Sequence, residues 1–281
     1  MFEPTRISDY TPTLTKPLVS KTLLDQLIST KKGLFPSTKT LISGDPGIGK
    51  TTILLWYLAE LSKQNVKTLF ISAEMGKSGI YKYSTRFPQF KNIDMMFTDE
   101  YKGVEFEVLD VMLESGDYDV VLLDSWAQLL HLTPQIKEDE LLELFNYYSD
   151  NYETSFLFIQ QVTKDKKLAG KNYLKHMVDN VIKIKADPKF SEVKYIEYEK
   201  NRDGDVDKKL YFDISTNDIK FSFDKPTIPL TPGELLKMVP TVKRMKKRDG
   251  LLNHLTVMNE LNIDVVSAWE LCKIIEPLKL A

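Results

Sequence analysis

The segment from Gly44 to Thr51 constrains this chain more than any other. It reads Gly-Asp-Pro-Gly-Ile-Gly-Lys-Thr, which satisfies the phosphate-loop pattern G-x-x-x-x-G-K-[ST]. A short apolar run at 40–43 precedes it, and a helical pattern at 51–63 follows it. Glycines let consecutive backbone N–H groups turn toward one phosphate, and a helix N-terminus adds positive charge there. The segment therefore predicts a strand–loop–helix unit that binds a nucleotide.

The loop and its neighbours supply the first set of candidate site residues. Lys50 is expected to reach the β- and γ-phosphates and to act in catalysis, and Thr51 is expected to ligate Mg²⁺. Asp124 ends the apolar run 119–123 and is the second candidate Mg²⁺ ligand, although an acid here can also cap the next helix. The predicted ATP-binding residues are Gly44, Asp45, Pro46, Gly47, Ile48, Gly49, Lys50, Thr51 and Thr52.

Apolar runs and helical patterns alternate along the next part of the chain. The runs 67–73, 93–97, 119–123, 156–160 and 180–185 are separated by helical patterns that include 77–86, 104–114 and 137–151. This alternation predicts an α/β fold with a mostly parallel central sheet covered on both faces. Three further runs, 194–199, 208–214 and 218–223, follow without helices between them, which predicts an antiparallel extension at one edge.

Changes in composition and helix-start signals along the chain predict three regions. Residues 1–35 carry many Thr and Pro and are predicted to be a surface arm or linker, and residues 36–225 form the predicted core. Residues 226–281 are predicted to be a helical appendage, because Thr231-Pro232-Gly233-Glu234 has the pattern of a helix start. Four apolar residues at helical spacing support this prediction: Leu251, Leu255, Met258 and Leu261.

Composition excludes several classes of protein. A single cysteine, Cys272, excludes an internal disulfide and a four-cysteine zinc site. Apolar runs stay well below the ~20 residues that span a bilayer, and the first residues lack a signal-peptide pattern, so we expect a cytoplasmic protein with no membrane partner. The formal net charge is −2, so any DNA affinity has to come from local basic clusters.

Glu74 follows the run 67–73 and is a candidate general base. An acid after a strand is ordinarily a surface residue. It would act in catalysis if the fold placed its strand next to the strand of the phosphate loop, where the carboxylate can orient water against the γ-phosphate. The sequence alone leaves both interpretations open.

Taken together, these segments resemble the RecA-like ATPases, most closely the RadA branch, with features of the DnaB-type helicases. The loop 44–51 is similar to that of RadA, and Asp124-Ser125 matches the Walker-B end of both families. Ser72-Ala73-Glu74-Met75 is similar to the DnaB segment that carries the catalytic glutamate, which implies that Glu74 is the base. The resemblance covers roughly residues 6–223 and implies a RecA-like P-loop NTPase core.

Two further segments extend the resemblance. Gln161 stands at the sensor position, where RadA usually has histidine and RecA and DnaB proteins have glutamine, which implies a γ-phosphate sensor; a polar residue at a strand end is the alternative. Lys200-Asn201-Arg202-Asp203-Gly204 resembles the RadA motif K-N-R-F-G, with Asp203 in place of the aromatic residue. In that family the basic residues act on the neighbouring subunit's ATP, which implies this role for Lys200 and Arg202; a charged turn is the alternative.

Basic residues crowd the segment after Gln161, which in RadA faces DNA in the channel of a ring. Lysines neutralise backbone phosphates, and Tyr173 can stack on a base, although most charge runs are simply solvated. The predicted DNA-binding residues are Lys164, Lys166, Lys167, Lys171, Tyr173 and Lys175. A second basic cluster at 243–248 fits a DNA contact, a docking site for a partner protein or a soluble helix face.

The resemblance implies a ring-forming, DNA-dependent ATPase. It would use ATP and Mg²⁺ and act on single-stranded DNA as a helicase or translocase in DNA recombination or replication. We expect a homo-oligomer, either a hexameric ring or a filament. Two alternatives are a recombinase that assembles on single strands without motor activity and a KaiC-like kinase, which the lysine-rich segment 164–175 disfavours.

Overall fold

The computed structural model describes residues 16–161, 173–188, 190–227 and 230–275, except for the side chain of Gln161. The chain divides into two compact units, Met1–Asp224 and Lys225–Ala281. They are called the core unit and the helical unit below.

The core unit contains nine strands and seven α-helices among its described residues. The strands are β1 (Lys39–Gly44), β2 (Thr68–Ser72), β3 (Asp94–Phe97), β4 (Val120–Asp124), β5 (Ser155–Gln161), β6 (Asn180–Ala186), β7 (Lys194–Lys200), β8 (Lys209–Ile214) and β9 (Ile219–Ser222). The helices are α1 (Leu23–Ile28), α2 (Lys50–Ser62), α3 (Lys77–Arg86), α4 (Glu105–Glu114), α5 (Trp126–Leu132), α6 (Glu138–Tyr152) and α7 (Tyr173–Met177).

All nine strands form one sheet in the order β3-β2-β4-β5-β1-β6-β7-β8-β9. The first six are parallel to their neighbours, and β7, β8 and β9 add to β6 as antiparallel strands. The predicted fold class is therefore confirmed, including the antiparallel extension at one edge. Because parallel strands share one direction, the loops that follow β1, β2, β4 and β5 emerge at the same edge of the sheet.

Two hydrophobic cores cover the two faces of the sheet. Successive strand residues point to opposite faces, so Leu41 of β1 joins one core and Ile42 joins the other, both fully buried. Helix α2 packs in the core that contains Ile42, and α6 packs in the core that contains Leu41. Strands buried on both faces are apolar almost throughout, as in Val120–Asp124.

Residues 16–35 differ from the predicted surface arm because they pack against the core. Helix α1 buries Leu24, Leu27 and Ile28 in the same cluster as α2. The segment is closed by a bridge between Leu18 and Leu34 and is capped by the Asp25 carboxylate, which accepts hydrogen bonds from the Ser20 backbone and hydroxyl. Apolar residues at i, i+3 and i+4 in this short helix supply a buried face that the Thr- and Pro-rich composition obscures.

The helical unit contains α8 (Pro232–Asp249), α9 (His254–Leu261) and α10 (Val265–Ile275). Glu234 accepts hydrogen bonds from the Thr231 backbone and hydroxyl, so α8 begins where the sequence predicts. The predicted apolar series is only partly correct. Leu251 precedes α9 and is 84% exposed, because α9 starts after its Asn253 cap and buries Val257 instead. None of the described helices is both long and apolar enough to cross a membrane.

Candidate nucleotide-binding site

The phosphate loop connects β1 to α2 at the edge of the sheet where the parallel strands end. Gly47 and Gly49 have φ angles of 73° and 110°, a left-handed conformation that side chains other than glycine rarely adopt. A Cβ added to Gly44 would lie 2.5 Å from the backbone oxygen of Ile184 on β6. The loop therefore needs glycine at these positions both for its path and for the close contact of β1 with β6.

Lys50 opens α2, and its ammonium group folds back across the loop. Its Nζ donates to the backbone oxygens of Gly44 at 2.8 Å and Asp45 at 3.0 Å. Burial lowers the pKa of Lys50, while the carboxylates of Asp124, Glu74 and Asp45 oppose that shift. A cation held this way can exchange carbonyl oxygens for phosphate oxygens with little movement.

Thr51 and Asp124 meet at the centre of the site. The Thr51 hydroxyl donates to Asp124 Oδ2 at 2.5 Å. Burial raises the pKa of Asp124 from 3.8 to about 6; Glu74 raises it further, whereas the Thr51 hydrogen bond and Lys50 lower it. A hydroxyl and a carboxylate in contact are hard oxygen ligands of the kind that Mg²⁺ prefers, so this pair fits the predicted metal site. No group of three or more His, Cys, Asp or Glu residues suited to a metal occurs in the described ranges.

Glu74 lies at the site, although its strand is not where the sequence argument required it. Strand β2 is separated from β1 by β4 and β5, so the condition that it lies next to the phosphate-loop strand is not met. It adjoins β4 instead, and the Glu74 backbone N–H donates to the Asp124 carbonyl at 3.2 Å. The side chain reaches the site because the ends of all these strands open onto one cavity.

That cavity has a volume of about 610 Å³ and joins most of the predicted residues. The predicted residues that line it are Pro46, Gly47, Gly49, Lys50, Thr51, Thr52, Glu74 and Asp124. Ile48 turns into the hydrophobic core instead. Sequence reasoning missed the rest of the lining, namely Met75, Tyr83, Arg86, Ile159, Lys194 and Ile214.

The missed residues come from distant parts of the chain. Arg86 ends α3 and donates to the backbone oxygens of Ser215 and Thr216, in the turn between β8 and β9. Lys194 and Ile214 reach the cavity because β7 and β8 run antiparallel and bring those ends to the phosphate-loop edge. Local sequence patterns do not show that these residues line the cavity, because their position depends on the pairing of the edge strands.

Gln161 ends β5 at the same edge. In the parallel pairing of β1 with β5 its Cα is the partner of Gly44, the first residue of the loop. The backbone thus places the predicted sensor position between the phosphate-loop strand and β4, which carries Asp124.

Comparison with known proteins identifies relatives of this chain. No protein-family model matches the chain. DNA repair protein RadA of Campylobacter jejuni is 28% identical over 215 residues, which cover 73% of this chain and 46% of that protein. RadA of Rickettsia bellii is 30% identical over 192 residues, or 66% of this chain and 42% of that protein.

The chain is a RecA-like P-loop protein related to RadA. The chain spans less than half the length of these RadA relatives. The flagellar accessory protein FlaH of Methanocaldococcus jannaschii has the same fold, with a TM-score of 0.58 and 11% identity over 74% of this chain and 99% of that one.

In this RadA-related core, Lys200 and Arg202 lie at the sheet edge opposite the phosphate loop. Lys200 ends β7 beside Val181, near the start of β6, whereas the loop follows the end of β1. The six residues of β1 separate the two edges by about 16 Å. Neither cation therefore reaches the loop of its own subunit.

Contacts within the subunit hold the Lys200–Gly204 motif in place. Arg202 Nη1 donates to Asp179 Oδ1 at 2.7 Å, and the Asn201 amide donates to the Ile28 carbonyl at 3.1 Å. Asp203, which replaces the aromatic residue of the RadA motif, accepts a bond from the Thr30 backbone through its carbonyl. The turn alternative and the RadA-like alternative are thus both compatible with the structure.

The predicted DNA-binding residues Lys164, Lys166, Lys167 and Lys171 lie outside the described residues. Tyr173 and Lys175 are in α7, and the Tyr173 side chain is exposed. Lys175 Nζ pairs with Glu199 of β7 at 2.5 Å. The DNA role of this segment therefore remains a prediction.

The basic cluster 243–248 belongs to α8, and two of its cations have structural partners. Lys246 Nζ donates to the Ile275 carbonyl at 3.2 Å, and Arg248 pairs with Glu260 at 2.7 Å and with Asp249. These contacts tie α8 to α9 and α10. They reduce the charge that the cluster can offer to DNA or to an acidic partner.

Proposed function

We propose that the chain is a DNA-dependent ATPase that hydrolyses ATP between subunits of a ring and translocates on or unwinds DNA. The observation that carries the proposal is the convergence of Lys50, Thr51, Glu74 and Asp124 on one cavity. The names of the RadA relatives support a role in DNA repair or recombination. A role in replication would follow from the DnaB-like features of the sequence.

Binding would begin at the loop. Backbone N–H groups of the loop and the start of α2 surround the phosphates, and Lys50 moves its Nζ from the Gly44 and Asp45 carbonyls to the phosphate oxygens. The lowered pKa of Lys50 reflects burial, and a polyanion in the cavity would favour its charged form.

Hydrolysis would depend on two carboxylates with different tasks. Thr51 and Asp124 would hold Mg²⁺, which neutralises charge on the phosphates when it is bound. Glu74 would orient a water molecule and accept its proton, since its side chain lines the same cavity as Asp124. Gln161 would report the state of the γ-phosphate from the end of β5.

Lys200 and Arg202 would complete the site of a neighbouring subunit. Their distance from the loop of their own subunit supports action across an interface, and an arginine there stabilises charge on the transferring phosphoryl group. Hydrolysis would then move one subunit against the next, together with the lysine-rich segments 164–175 that hold the DNA backbone.

The test is ATP turnover with and without single-stranded DNA. We expect DNA to stimulate turnover several-fold, and Lys50→Ala to abolish it. Lys63→Ala is the matched control, because Lys63 follows the same helix and pairs with Glu60 on the surface. Turnover that is indifferent to DNA would overturn the DNA dependence, and activity retained in Lys50→Ala would overturn the site.

Electron micrographs with an ATP analogue and single-stranded DNA separate the forms of assembly. Closed rings would support a motor. Helical filaments on the DNA would favour the recombinase alternative, in which ATP sets assembly without a power stroke.

A further inference from the structure

Three polar links join the end of the predicted DNA-binding segment to the end of β7. We call this region the junction; it consists of Lys175, His176, Val178 and Asp179 on one side and Glu199, Lys200 and Arg202 on the other. Lys175 pairs with Glu199 at 2.5 Å, Lys200 Nζ donates to the Val178 carbonyl at 2.5 Å, and Arg202 pairs with Asp179 at 2.7 Å.

Asp179 is fixed at the centre of the junction. Its backbone N–H donates to the Lys39 carbonyl at 2.9 Å, and its Oδ2 accepts from the Lys39 backbone N–H at 2.9 Å. These bonds anchor the residue to the first residue of β1, at the sheet edge away from the phosphate loop. The second carboxylate oxygen, Oδ1, is thereby aimed at Arg202.

Arg202 is oriented by this carboxylate while most of its side chain faces solvent. Its side chain is 61% exposed, whereas that of Asp179 is 20% exposed. Its backbone N–H donates to Asn180 Oδ1 at 2.9 Å, so the main chain is fixed as well. A guanidinium group has five N–H donors in a rigid fork, so the bond to Asp179 leaves donors for a phosphate.

We propose that Asp179 is a positioning residue that orients Arg202 toward the nucleotide of a neighbouring subunit. This inference rests on the proposed function, in which Arg202 acts across the interface. A preoriented cation loses less conformational freedom when it meets its phosphate, so its effect appears in the rate of the chemical step. Asp179 does not itself touch the nucleotide.

The junction also gives the DNA-binding segment a route to Arg202. Lys200 binds the carbonyl of Val178, next to Asp179, and Glu199 binds Lys175 of α7. These contacts connect α7 and the residue before Asp179 to the end of β7, which immediately precedes the Arg202 motif.

The test is a double-mutant cycle of Asp179→Asn and Arg202→Ala, read as kcat and KM for ATP with and without single-stranded DNA. Asparagine keeps an oxygen for the Lys39 backbone N–H and removes the negative charge that faces Arg202 and, at 3.8 Å, the Lys39 ammonium. We expect Asp179→Asn to lower DNA-stimulated kcat about tenfold and Arg202→Ala to lower it about a hundredfold or more, with KM changed less than twofold in each. The double variant should fall no further than Arg202→Ala. Asp179→Glu should retain most of the turnover.

Glu197→Gln is the matched control, because Glu197 pairs with Lys185 across the same two strands, β6 and β7, without contacting the junction. Nucleotide affinity and thermal melting establish that each variant is folded. Losses that add in the double variant, or an equal loss in Glu197→Gln, would overturn the proposal. Normal turnover in Asp179→Asn beside lost turnover in Arg202→Ala would remove the positioning role alone, whereas normal turnover in Arg202→Ala would also remove the cross-subunit role.

Discussion

Asp124 is a buried acid whose proposed role as a Mg²⁺ ligand requires the ionised carboxylate. Its side chain lies between Thr51, Glu74 and Lys50, and burial raises its pKa to about 6. An acid whose pKa is higher in the folded state than in the unfolded chain destabilises the fold once it is ionised. The penalty is absent below pH 3.8, grows up to about pH 6 and is complete above that value. It amounts to about 3 kcal/mol, which bound Mg²⁺ would offset.

Asp124→Asn should therefore stabilise the protein in the absence of nucleotide and Mg²⁺. We expect a gain of about 2 kcal/mol at pH 8, because asparagine carries no charge and can still accept from Thr51. The gain should shrink as pH falls to 5, and hydrolysis should be lost. Urea unfolding at the two pH values measures this, with the exposed Asp213→Asn as control. An equal loss of stability at both pH values would contradict the interpretation.

Two tyrosines differ in whether their hydroxyl groups are satisfied. The Tyr57 hydroxyl is buried in the core with no hydrogen-bond partner in the described part of the chain, whereas the Tyr148 hydroxyl donates to Asp110. Tyr57→Phe should raise the free energy of unfolding by about 1 kcal/mol, and Tyr148→Phe should lower it by about 1 kcal/mol. Chemical denaturation of both variants measures the difference. Equal effects of the same sign would show that the two hydroxyls are equivalent.

At the scale of elements, the phosphate loop begins where the backbone of β1 packs closely against that of β6. Gly44→Ala would place a Cβ 2.5 Å from the Ile184 backbone oxygen, so we expect a loss of about 2 kcal/mol and weaker ATP binding. Gly47→Ala meets no atom within 4 Å and should cost only the left-handed conformation, about 1 kcal/mol. Thermal melting without nucleotide compares them. A milder effect at Gly44 than at Gly47 would argue against the close contact.

Elements that depend on local patterns were predictable from the sequence. The pattern 77–86 predicts a helix that the structure contains as Lys77–Arg86, and the start of α8 at Pro232 follows from Thr231 and Glu234. The loop, with Lys50 and Thr51, was predictable because glycines and a lysine at fixed spacing have few other uses.

Features that depend on the pairing of strands distant in sequence were not predictable in this way. The sequence gives no sign that β4 and β5 separate β2 from β1, so the reason for placing Glu74 at the site was wrong although the residue lines the cavity. Arg86 and Lys194 were missed because their place at the cavity depends on the pairing of β6 with β7 and of β7 with β8. This pairing brings Lys194 itself, and the backbone oxygens that Arg86 contacts, to the phosphate-loop edge. Residues 16–35 were misjudged because composition outweighed the short apolar period of α1.

At the scale of the whole molecule, the separation of Lys50 from Arg202 predicts complementation between inactive variants. Lys50→Ala lacks a working loop but retains Arg202, and Arg202→Ala has the opposite defect. An equal mixture should recover about a quarter of wild-type turnover, since one interface in four then pairs an intact loop with an intact Arg202. A mixture of Arg202→Ala with the double variant is the control and should stay inactive. Failure of the first mixture to recover would indicate that Arg202 acts within its own subunit or not at all.

Under the proposed action of Arg202 across subunits, the same separation fixes how many working sites a given number of subunits can hold. Loop and Arg202 lie on different surfaces, so subunits would associate head to tail. An open row of subunits then leaves one loop at its end without an arginine, whereas closure supplies the missing partner. In a short row, this one incomplete site is a large fraction of all the sites. The ATP turnover per subunit should therefore rise with the number of subunits in an open row and should be highest in a closed ring, even at saturating DNA.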